Sequence, residues 1–338
     1  MGSTMDVLGL TFAEVRSAIR PRDHQVKRLR EEYRGLLAGQ GAANGFGLRV
    51  EVLPIVRSIV DGDLIKFAQR TADGWEIESV CVPMRQRGQS WKTLCVSSQI
   101  GCARGCEFCE TARLGFRRNL TPAEIVGQVV AARTQLGQAI RNAVFMGMGE
   151  PFDNFDSVIQ AVRVLTDRSG LSMSFERVSI STVGRTDGIR RLAELGWRRI
   201  NLAVSLNAPG DEIRRQIMPI ARSESMEKLR EAMLAYPLRK CQFFMIEYVL
   251  IPGLNDAPEH ARQLAEYLRP VKCVVNVIPY NPRRDSPWPA PAEESVVRFM
   301  GDLKAAGLYA KRRLTKGRDH MAACGQLGNR EAFAAGNR

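Results

Sequence analysis

Residues 101–109 read Gly-Cys-Ala-Arg-Gly-Cys-Glu-Phe-Cys and place Cys102, Cys106 and Cys109 on one short loop with the spacing C-x₃-C-x₂-C. Three thiolates can bind three irons of a [4Fe–4S] cube and leave the fourth iron open to a chelating ligand. The alternatives are a zinc site and a chance grouping of structural cysteines. Zinc requires a fourth protein ligand, and neither a nearby His nor a second C-x₂-C pair supplies one. The spacing therefore favours an iron–sulfur cluster.

A region of alternating strands and helices surrounds this loop. Strands are predicted at residues 93–97, 143–147, 177–182, 199–206, 242–250, 273–279 and 309–314. An amphipathic helix is predicted at residues 122–136, with Thr121 as N-cap and Glu124 completing a capping box. Six strand–helix alternations predict an α/β fold with a partial (β/α)₆ barrel, whose chemistry lies at the carboxyl ends of its strands.

Two smaller regions precede the predicted barrel. The helix-like spacing of apolar residues predicts helices in the first 40 residues, and residues 39–47 form a glycine-rich break. Apolar stretches separated by Asp-Gly turns then predict a small antiparallel meander. We therefore divide the chain into a helical accessory segment (1–45), the meander (46–90), the barrel with its carboxyl-terminal cysteine segment (91–328) and a tail (329–338).

Composition limits the class of protein. The chain has 338 residues, of which 45% are hydrophobic and 25% charged, as in ordinary globular proteins. No apolar run approaches the roughly 20 residues that span a bilayer, and residues 1–6 lack a signal-peptide pattern, so we expect a cytoplasmic protein without a membrane partner. The net charge of +13 favours a polyanionic partner, although many basic enzymes bind no nucleic acid.

The second predicted strand ends in residues 145–151, Phe-Met-Gly-Met-Gly-Glu-Pro. Glycines such as Gly149 let the backbone approach a ligand closely, and Glu150 can accept from an ammonium group. Alone, this motif is more typical of a tight structural turn. Beside an open iron, which can take the amino and carboxylate groups of S-adenosylmethionine, it predicts the site of the methionine amino group.

Several ordered motifs connect these features. They lie at residues 93–102, 118–121, 124–125, 146–151, 179–182, 205–209, 278–282 and 322–327. In these motifs the chain resembles the RlmN/Cfr family of radical SAM adenine methyltransferases from about Val56 to Leu327, with an amino-terminal module shorter than the family's. The resemblance implies that Phe108 lies near the adenine of S-adenosylmethionine.

The resemblance implies a mechanism with two cysteines and two molecules of S-adenosylmethionine per turnover. The first molecule methylates Cys324 by direct displacement. The second is cleaved at the cluster, and its 5′-deoxyadenosyl radical abstracts hydrogen from the S-methyl group. The resulting methylene radical adds to the adenine, and Cys95 resolves the crosslink by forming a disulfide with Cys324.

The resemblance also implies further site residues and partners. Ser181, Ser205, Leu206, Asn207 and Asn281 are expected to contact S-adenosylmethionine, with Asn207 standing where the family usually has His. Glu78, expected to be exposed on its strand, corresponds to a proposed proton acceptor, and a purely structural role is an equally open reading. The expected partners are 23S rRNA, also tRNA, and a flavodoxin- or ferredoxin-type electron donor; we expect a monomer.

Three hypotheses for the function follow. The leading one is methylation of an adenine carbon in ribosomal RNA, with C2 favoured over C8. The second keeps the same radical chemistry but acts on another RNA, a nucleotide or a natural-product precursor. The third is a non-catalytic iron–sulfur RNA-binding protein, and the presence of both Cys95 and Cys324 argues against it because binding alone needs neither.

Overall fold

A ten-stranded sheet with helices packed against it forms the body of the molecule and confirms the predicted α/β class. The computed structural model describes residues 4–40, 45–86, 88–313, 317 and 320–335. The strands are β1 (Met5–Asp6), β2 (Leu48–Arg49), β3 (Ile55–Asp61), β4 (Leu64–Arg70), β5 (Glu76–Gln86), β6 (Gln89–Cys95), β7 (Gln99–Gly101), β8 (Phe116–Asn119), β9 (Ile140–Phe145), β10 (Val178–Thr182), β11 (Asn201–Ser205), β12 (Phe244–Leu250), β13 (Cys273–Pro279) and β14 (Ala310–Arg312). The helices are α1 (Phe12–Ile19), α2 (Val26–Leu37), α3 (Glu110–Arg113), α4 (Pro122–Thr134), α5 (Phe155–Thr166), α6 (Thr186–Glu194), α7 (Asp211–Ile217), α8 (Met226–Ala235), α9 (Pro258–Leu268), α10 (Glu293–Ala305) and α11 (Arg330–Ala335).

Seven neighbouring strands of this sheet run parallel, in the order β6, β9, β10, β11, β12, β13 and β14. Each connection between consecutive members contains at least one of the helices α4 to α10. The strand β14 lies at the edge of the sheet, so the barrel is open, and the predicted partial barrel is confirmed. Residue 314, the last of the seventh predicted strand, lies outside the described residues.

The predicted antiparallel meander is present, and it continues directly into the barrel. Strands β3 to β6 pair antiparallel in sequence, and β6 then pairs parallel with β9. Because β6 crosses the boundary expected at residue 90, the meander and the barrel share one sheet. The division of the chain into separate units stays a prediction.

Helix α4 shows how the amino-terminal segment covers the barrel. Its predicted capping box is present, since Thr121 Oγ1 accepts from Glu124 N (3.2 Å) and Glu124 accepts from Thr121 N (2.8 Å). The predicted amphipathic character is wrong, because eight consecutive residues, numbers 125–132, are buried. The Leu8 side chain lies against Gly127, and Gln160 of α5 donates to Gly9 O at 3.2 Å. The amino-terminal segment therefore buries the face of α4 that would otherwise meet solvent.

The parallel strands determine where a site can form. Their carboxyl ends lie at one edge of the sheet, at residues such as Cys95, Phe145, Thr182 and Ser205. The loops that leave these ends carry most of the residues selected from the sequence. A site is therefore expected at this edge, as in other barrels of parallel strands.

Candidate active site

The cysteine loop begins at the end of β7 and returns through β8. These two short strands pair antiparallel, and Cys102 N donates to Gly115 O at 3.0 Å. Within the loop, Cys109 N donates to Cys106 O at 3.1 Å. Glu107 N reaches across to Ile217 O at 2.9 Å, which connects the loop to the end of α7. Backbone hydrogen bonds thus hold the three thiols around one space.

The thiols of this loop lie in a protected environment. Burial raises the pKa of Cys102 to about 12 and raises the pKa of Cys106 well above its usual value. Burial also raises the pKa of Cys109, although hydrogen bonds to its sulfur partly oppose the rise. Neighbouring thiols add to the effect, because like charges disfavour each other. A cationic group bound between them would stabilise the thiolates.

The loop fits a [4Fe–4S] cluster better than a single ion. Across the described ranges, no group of three or more His, Cys, Asp or Glu side chains is close enough to hold one metal ion. A cluster binds each thiolate through a different iron and so needs more widely spaced sulfurs. Cys102, Cys106 and Cys109 all line one cavity, which is the arrangement that a cluster requires.

This main cavity brings together almost all of the residues selected from the sequence. Its wall combines the cysteine loop with the ends of β9, β10, β11 and β13 and with the carboxyl-terminal cysteine. The selected residues in its wall are Cys102, Cys106, Phe108, Cys109, Gly149, Glu150, Ser181, Ser205, Asn207, Asn281 and Cys324. Leu206 is fully buried and does not belong to this wall. The contacts of these residues with S-adenosylmethionine stay predictions.

Glu150 is a buried carboxylate in the wall of the main cavity. It accepts from Phe152 N (3.1 Å) and Val183 N (2.9 Å), which fixes its orientation. Burial raises the pKa of Glu150 to about 7, and these backbone hydrogen bonds limit the rise. A carboxylate of this kind is suited to a cationic ligand group, since a cation would compensate for the cost of its burial.

Gly147 allows this strand end to approach the cysteine side of the barrel. A Cβ atom at Gly147 would lie 2.7 Å from the carbonyl carbon and oxygen of Val96 and 2.6 Å from Ser97 Oγ. Ser97 Oγ uses this proximity to accept from Met148 N at 2.8 Å. The glycine is therefore required for close backbone packing beside the cavity.

Asn207 has an unusual backbone conformation and is bonded to β12 and to the loop that follows β12. Its φ of +58° lies in the left-handed region, which Asn tolerates better than most residues. The side-chain oxygen accepts from Val249 N (2.9 Å), and Asn207 O accepts from Asn255 Nδ2 (2.8 Å). Asn207 lines the main cavity, and its amide oxygen is bonded to the backbone of β12.

Cys324 and Cys95 meet at a second cavity that adjoins the first. Cys95 lines only this second cavity, whereas Cys324 lines both. The two thiols are close enough that the Cys324 sulfur contributes to raising the pKa of Cys95 to about 12, after the larger effect of burial. The Cys324 residue is exposed, and it lines both cavities. The structure therefore brings together the two cysteines that the resemblance paired.

The segment that carries Cys324 is bonded to the cysteine loop. Glu110 N donates to Gly325 O at 2.7 Å, and Thr111 Oγ1 donates to Leu327 O at 2.6 Å. Both donors directly follow Cys109 in the chain. The position of Cys324 relative to the three loop cysteines is consequently set by short local contacts.

Glu78 lines neither the main cavity nor the second cavity. It is buried rather than exposed, and it lines a separate pocket with Lys66 and Gly328. Its carboxylate pairs with Lys66 Nζ (2.9 Å) and Arg57 Nη2 (3.3 Å) and accepts from Gly328 N (2.7 Å). These contacts make it an anchor for the carboxyl-terminal segment. Its role as a proton acceptor stays a prediction.

Two charged residues at the cavities were not predicted from the sequence. Glu247 lies within β12 and lines the main cavity, and Arg313 follows β14 and lines the second. A single acidic residue inside the apolar run of β12 was a usable signal. Arg313 follows Lys311 and Arg312, and nothing in such a basic run distinguishes the inward-pointing member.

Comparisons with known proteins agree with this geometry. The model of the radical SAM superfamily matches residues 96–265, which is half of the chain. A radical SAM methyltransferase from Sphaerobacter thermophilus superposes with a TM-score of 0.86 and 36% identity, covering 96% of this chain and 99% of that one. The fold and the cysteine loop thus define a radical SAM protein.

Relatives define the family within that class. The "Probable dual-specificity RNA methyltransferase RlmN 1" of Protochlamydia amoebophila is 45% identical over 279 residues, covering 82% of this chain and 77% of the relative. The "Dual-specificity RNA methyltransferase RlmN" of Nitratidesulfovibrio vulgaris is 43% identical, covering 80% and 76%. The chain belongs to the RlmN family, as its motifs predicted. Among the described residues, no helix is long and apolar enough to cross a membrane.

Proposed function

We propose that this chain methylates an sp² carbon of adenine in RNA, with C2 favoured over C8, by way of an S-methyl group on Cys324. The substrates are 23S rRNA and also tRNA. The observation that carries the proposal is the position of Cys324 at the junction of two cavities, one lined by the cluster cysteines and the other by Cys95. A residue that first receives a methyl group and then gives it up as part of a radical needs access to both.

The residues of the chain divide the work as follows. Cys102, Cys106 and Cys109 would hold the cluster, and Glu150 would hold the methionine amino group of S-adenosylmethionine. When bound, the cluster supplies the electron that cleaves the second S-adenosylmethionine and so generates the 5′-deoxyadenosyl radical. Cys324 presents its methyl group to that radical and forms the bond to adenine. The adduct with adenine must then lose the ring proton and one electron, which the cluster would take back. Cys95 attacks the Cys324 sulfur, the bond between that sulfur and the methylene carbon breaks, and the carbon takes up a proton to become the methyl group. The two cysteines end as a disulfide that an external reductant must restore.

The substrate class rests on charge and on the relatives. The relatives carry the name RNA methyltransferase, and the chain has 49 Lys and Arg residues against 36 Asp and Glu residues. Basic surfaces favour nucleic acid because each neutralised phosphate releases counterions. The same radical chemistry on a different RNA, a nucleotide or a natural-product precursor is the alternative.

Substitution of Cys324 tests the methyl carrier. A Cys324→Ala variant should bind its cluster normally and produce no methylated adenosine, as measured by mass spectrometry of nucleosides from rRNA and tRNA. The matched control is Cys241→Ala, which removes an exposed cysteine outside both cavities and should retain activity. Methylation by Cys324→Ala would contradict the mechanism, and unchanged adenosines with the wild-type enzyme would favour the alternative substrates.

Substitution of Cys95 tests the resolving step separately. A Cys95→Ala variant should accumulate a covalent adduct between the protein and RNA, visible as a gel shift after nuclease trimming. The control is Cys273→Ala, because Cys273 is also partly buried but lines neither cavity. Free protein and full turnover in Cys95→Ala would show that another group resolves the crosslink.

A further inference from the structure

Glu247 is a buried carboxylate with an unused oxygen. Its side chain is 4% exposed, and Asn276 Nδ2 donates to Oε1 at 2.8 Å. Among the described residues, no hydrogen-bond partner reaches Oε2. Leaving a buried acceptor unpaired is costly, so such a group requires an explanation, and a role in catalysis is one of them.

The sheet places this carboxylate beside Cys324. Glu247 lies between Ser205 of β11 and Asn276 of β13 in the strand register, and the Glu247 side chain lines the main cavity. Cys324 lines the same cavity, and the carboxylate is close enough to raise the pKa of the Cys324 thiol. Glu247 and Cys324 therefore share one electrostatic environment although 77 positions separate them in the chain.

Arg313 is a positively charged neighbour of both Glu247 and Cys324. Burial alone would lower the pKa of Arg313, but Glu247, Cys324 and Cys95 together raise it above its usual value. Arg313 in turn lowers the pKa of Cys324 through its charge and a side-chain hydrogen bond, against the larger effect of burial. The guanidinium therefore stabilises a thiolate at Cys324.

Glu150, which is the other carboxylate in the wall of the main cavity, and Glu78 are already bonded. Glu150 accepts two backbone hydrogen bonds, and Glu78 holds two cations and one backbone N–H. The charged and titratable groups that face Cys324 are Glu247 from β12, Arg313 from the end of β14, Cys95 from β6 and Cys109 from the cysteine loop. Of these, Glu247 is the one with a free acceptor oxygen.

We propose that Glu247 Oε2 takes the proton from the Cys324 thiol when Cys324 is methylated, while Arg313 holds the thiolate. This inference rests on the proposed function, because it assigns the proton of its first half-reaction. The S–H bond breaks and its proton moves to Glu247. An electron pair of the Cys324 sulfur attacks the methyl carbon of S-adenosylmethionine. The electron pair of the C–S bond that breaks stays on the leaving thioether. The negative carboxylate and the positive sulfonium are both neutralised, so no oxidant or reductant is needed.

Two measurements on Glu247→Gln distinguish a base from a nearby charge. The first is the pH midpoint for alkylation of Cys324 by iodoacetamide, read by peptide mass spectrometry without S-adenosylmethionine. Because Glu247 opposes the thiolate, the midpoint should move to lower pH in the variant. The second is the single-turnover rate at which Cys324 gains 14 Da from S-adenosylmethionine in the holoenzyme. Loss of a general base should slow it about 100-fold.

The proposal thus predicts that Glu247→Gln makes alkylation of Cys324 easier, with a lower pH midpoint, and makes methylation of Cys324 slower. If Glu247 were only a repulsive charge, both reactions would become faster in Glu247→Gln, and if it were only structural, both would be impaired. Glu247→Asp retains a carboxylate and should recover part of the methylation rate. The matched control is Asp302→Asn, which changes a carboxylate that also has an unpaired oxygen but lines neither cavity. It should shift neither measurement.

The outcomes also separate this inference from the proposed function. If wild-type Cys324 gains no methyl group, the proposed function itself is wrong. If wild-type Cys324 is methylated and Glu247→Gln is methylated equally fast, only the role of Glu247 is wrong.

Discussion

Replacing Gly101 by alanine tests whether the cysteine loop depends on a close backbone approach. Gly101 has a φ of +72°, and a Cβ atom there would lie 1.7 Å from Gly115 O. Real Cβ contacts stay beyond 3.0 Å, so the carbonyl would have to retreat by more than 1 Å. Gly115 O is also the acceptor for Cys102 N, so this movement would break the hydrogen bond at the first cluster cysteine.

The expected loss of stability follows from these two effects. The left-handed backbone conformation costs alanine about 1–2 kcal/mol. Overpacking against the carbonyl adds about 1–3 kcal/mol, for a total of about 2–5 kcal/mol. Gly105→Ala is the matched control, because Gly105 has a similar φ of +67° but its nearest neighbour, Pro219 Cγ, would lie at 3.4 Å. Gly105→Ala should lose only the stability that the left-handed backbone conformation costs, about 1–2 kcal/mol.

Two assays measure the difference. Urea unfolding of the cluster-free proteins should place Gly101→Ala about 1–3 kcal/mol below Gly105→Ala. Iron and acid-labile sulfide, measured per chain after anaerobic reconstitution, should be near the wild-type level in Gly105→Ala and strongly reduced in Gly101→Ala. Equal stability and equal iron content in the two variants would refute the reasoning, because their backbone conformations are alike.

Three further predictions concern individual buried contacts. Burial raises the pKa of Glu150 to about 7, so its carboxylate becomes protonated as the pH falls through that value. The affinity for S-adenosylmethionine, measured by calorimetry, should therefore fall by up to about tenfold per pH unit below that pKa. The same dependence of affinity on pH in Glu150→Gln would contradict this prediction. Glu78→Gln leaves Lys66 and Arg57 without their shared buried partner and should reduce the free energy of unfolding by about 3 kcal/mol. An unchanged urea midpoint would contradict the role of Glu78 as an anchor for the carboxyl-terminal segment. Asn207→Ala should be less stable than Asn207→Gly by about 1 kcal/mol, since both lose the bond to Val249 N but only alanine is strained at a φ of +58°; the reverse order would show that the φ does not matter.

The sequence specifies the architecture well because its signals are local. The capping box at Thr121 and Glu124 and the alternation of strands with helices depend on neighbouring residues, and both are confirmed. The cysteine loop is equally local, since one short segment supplies all three thiols. Features of this kind can be recognised without knowing what packs against them.

The features that escaped prediction depend on partners far away in the chain. The outer face of α4 was expected to meet solvent, and Leu8 and Gly9 cover it. Glu78 was expected to be exposed, and it is buried because Lys66 and residue 328 converge on it. Glu247 is likewise defined by its neighbours across the sheet. Long-range packing decides each of these cases, and a single sequence contains no direct record of it.

The link between the cysteine loop and Cys324 extends the consequence of the Gly101 substitution. Glu110 and Thr111, which follow Cys109, bond directly to the backbone on the carboxyl-terminal side of Cys324. A displacement of the loop is therefore transmitted to Cys324 through two hydrogen bonds rather than through the whole barrel. A group that must meet a radical tolerates little displacement, since an error of about 1 Å can cost about 100-fold in rate. Gly101→Ala should thus alter the rate of Cys324 alkylation even without a cluster, whereas Gly105→Ala should not. An unaltered rate in Gly101→Ala would mean that the carboxyl-terminal segment holds Cys324 in place independently of the loop.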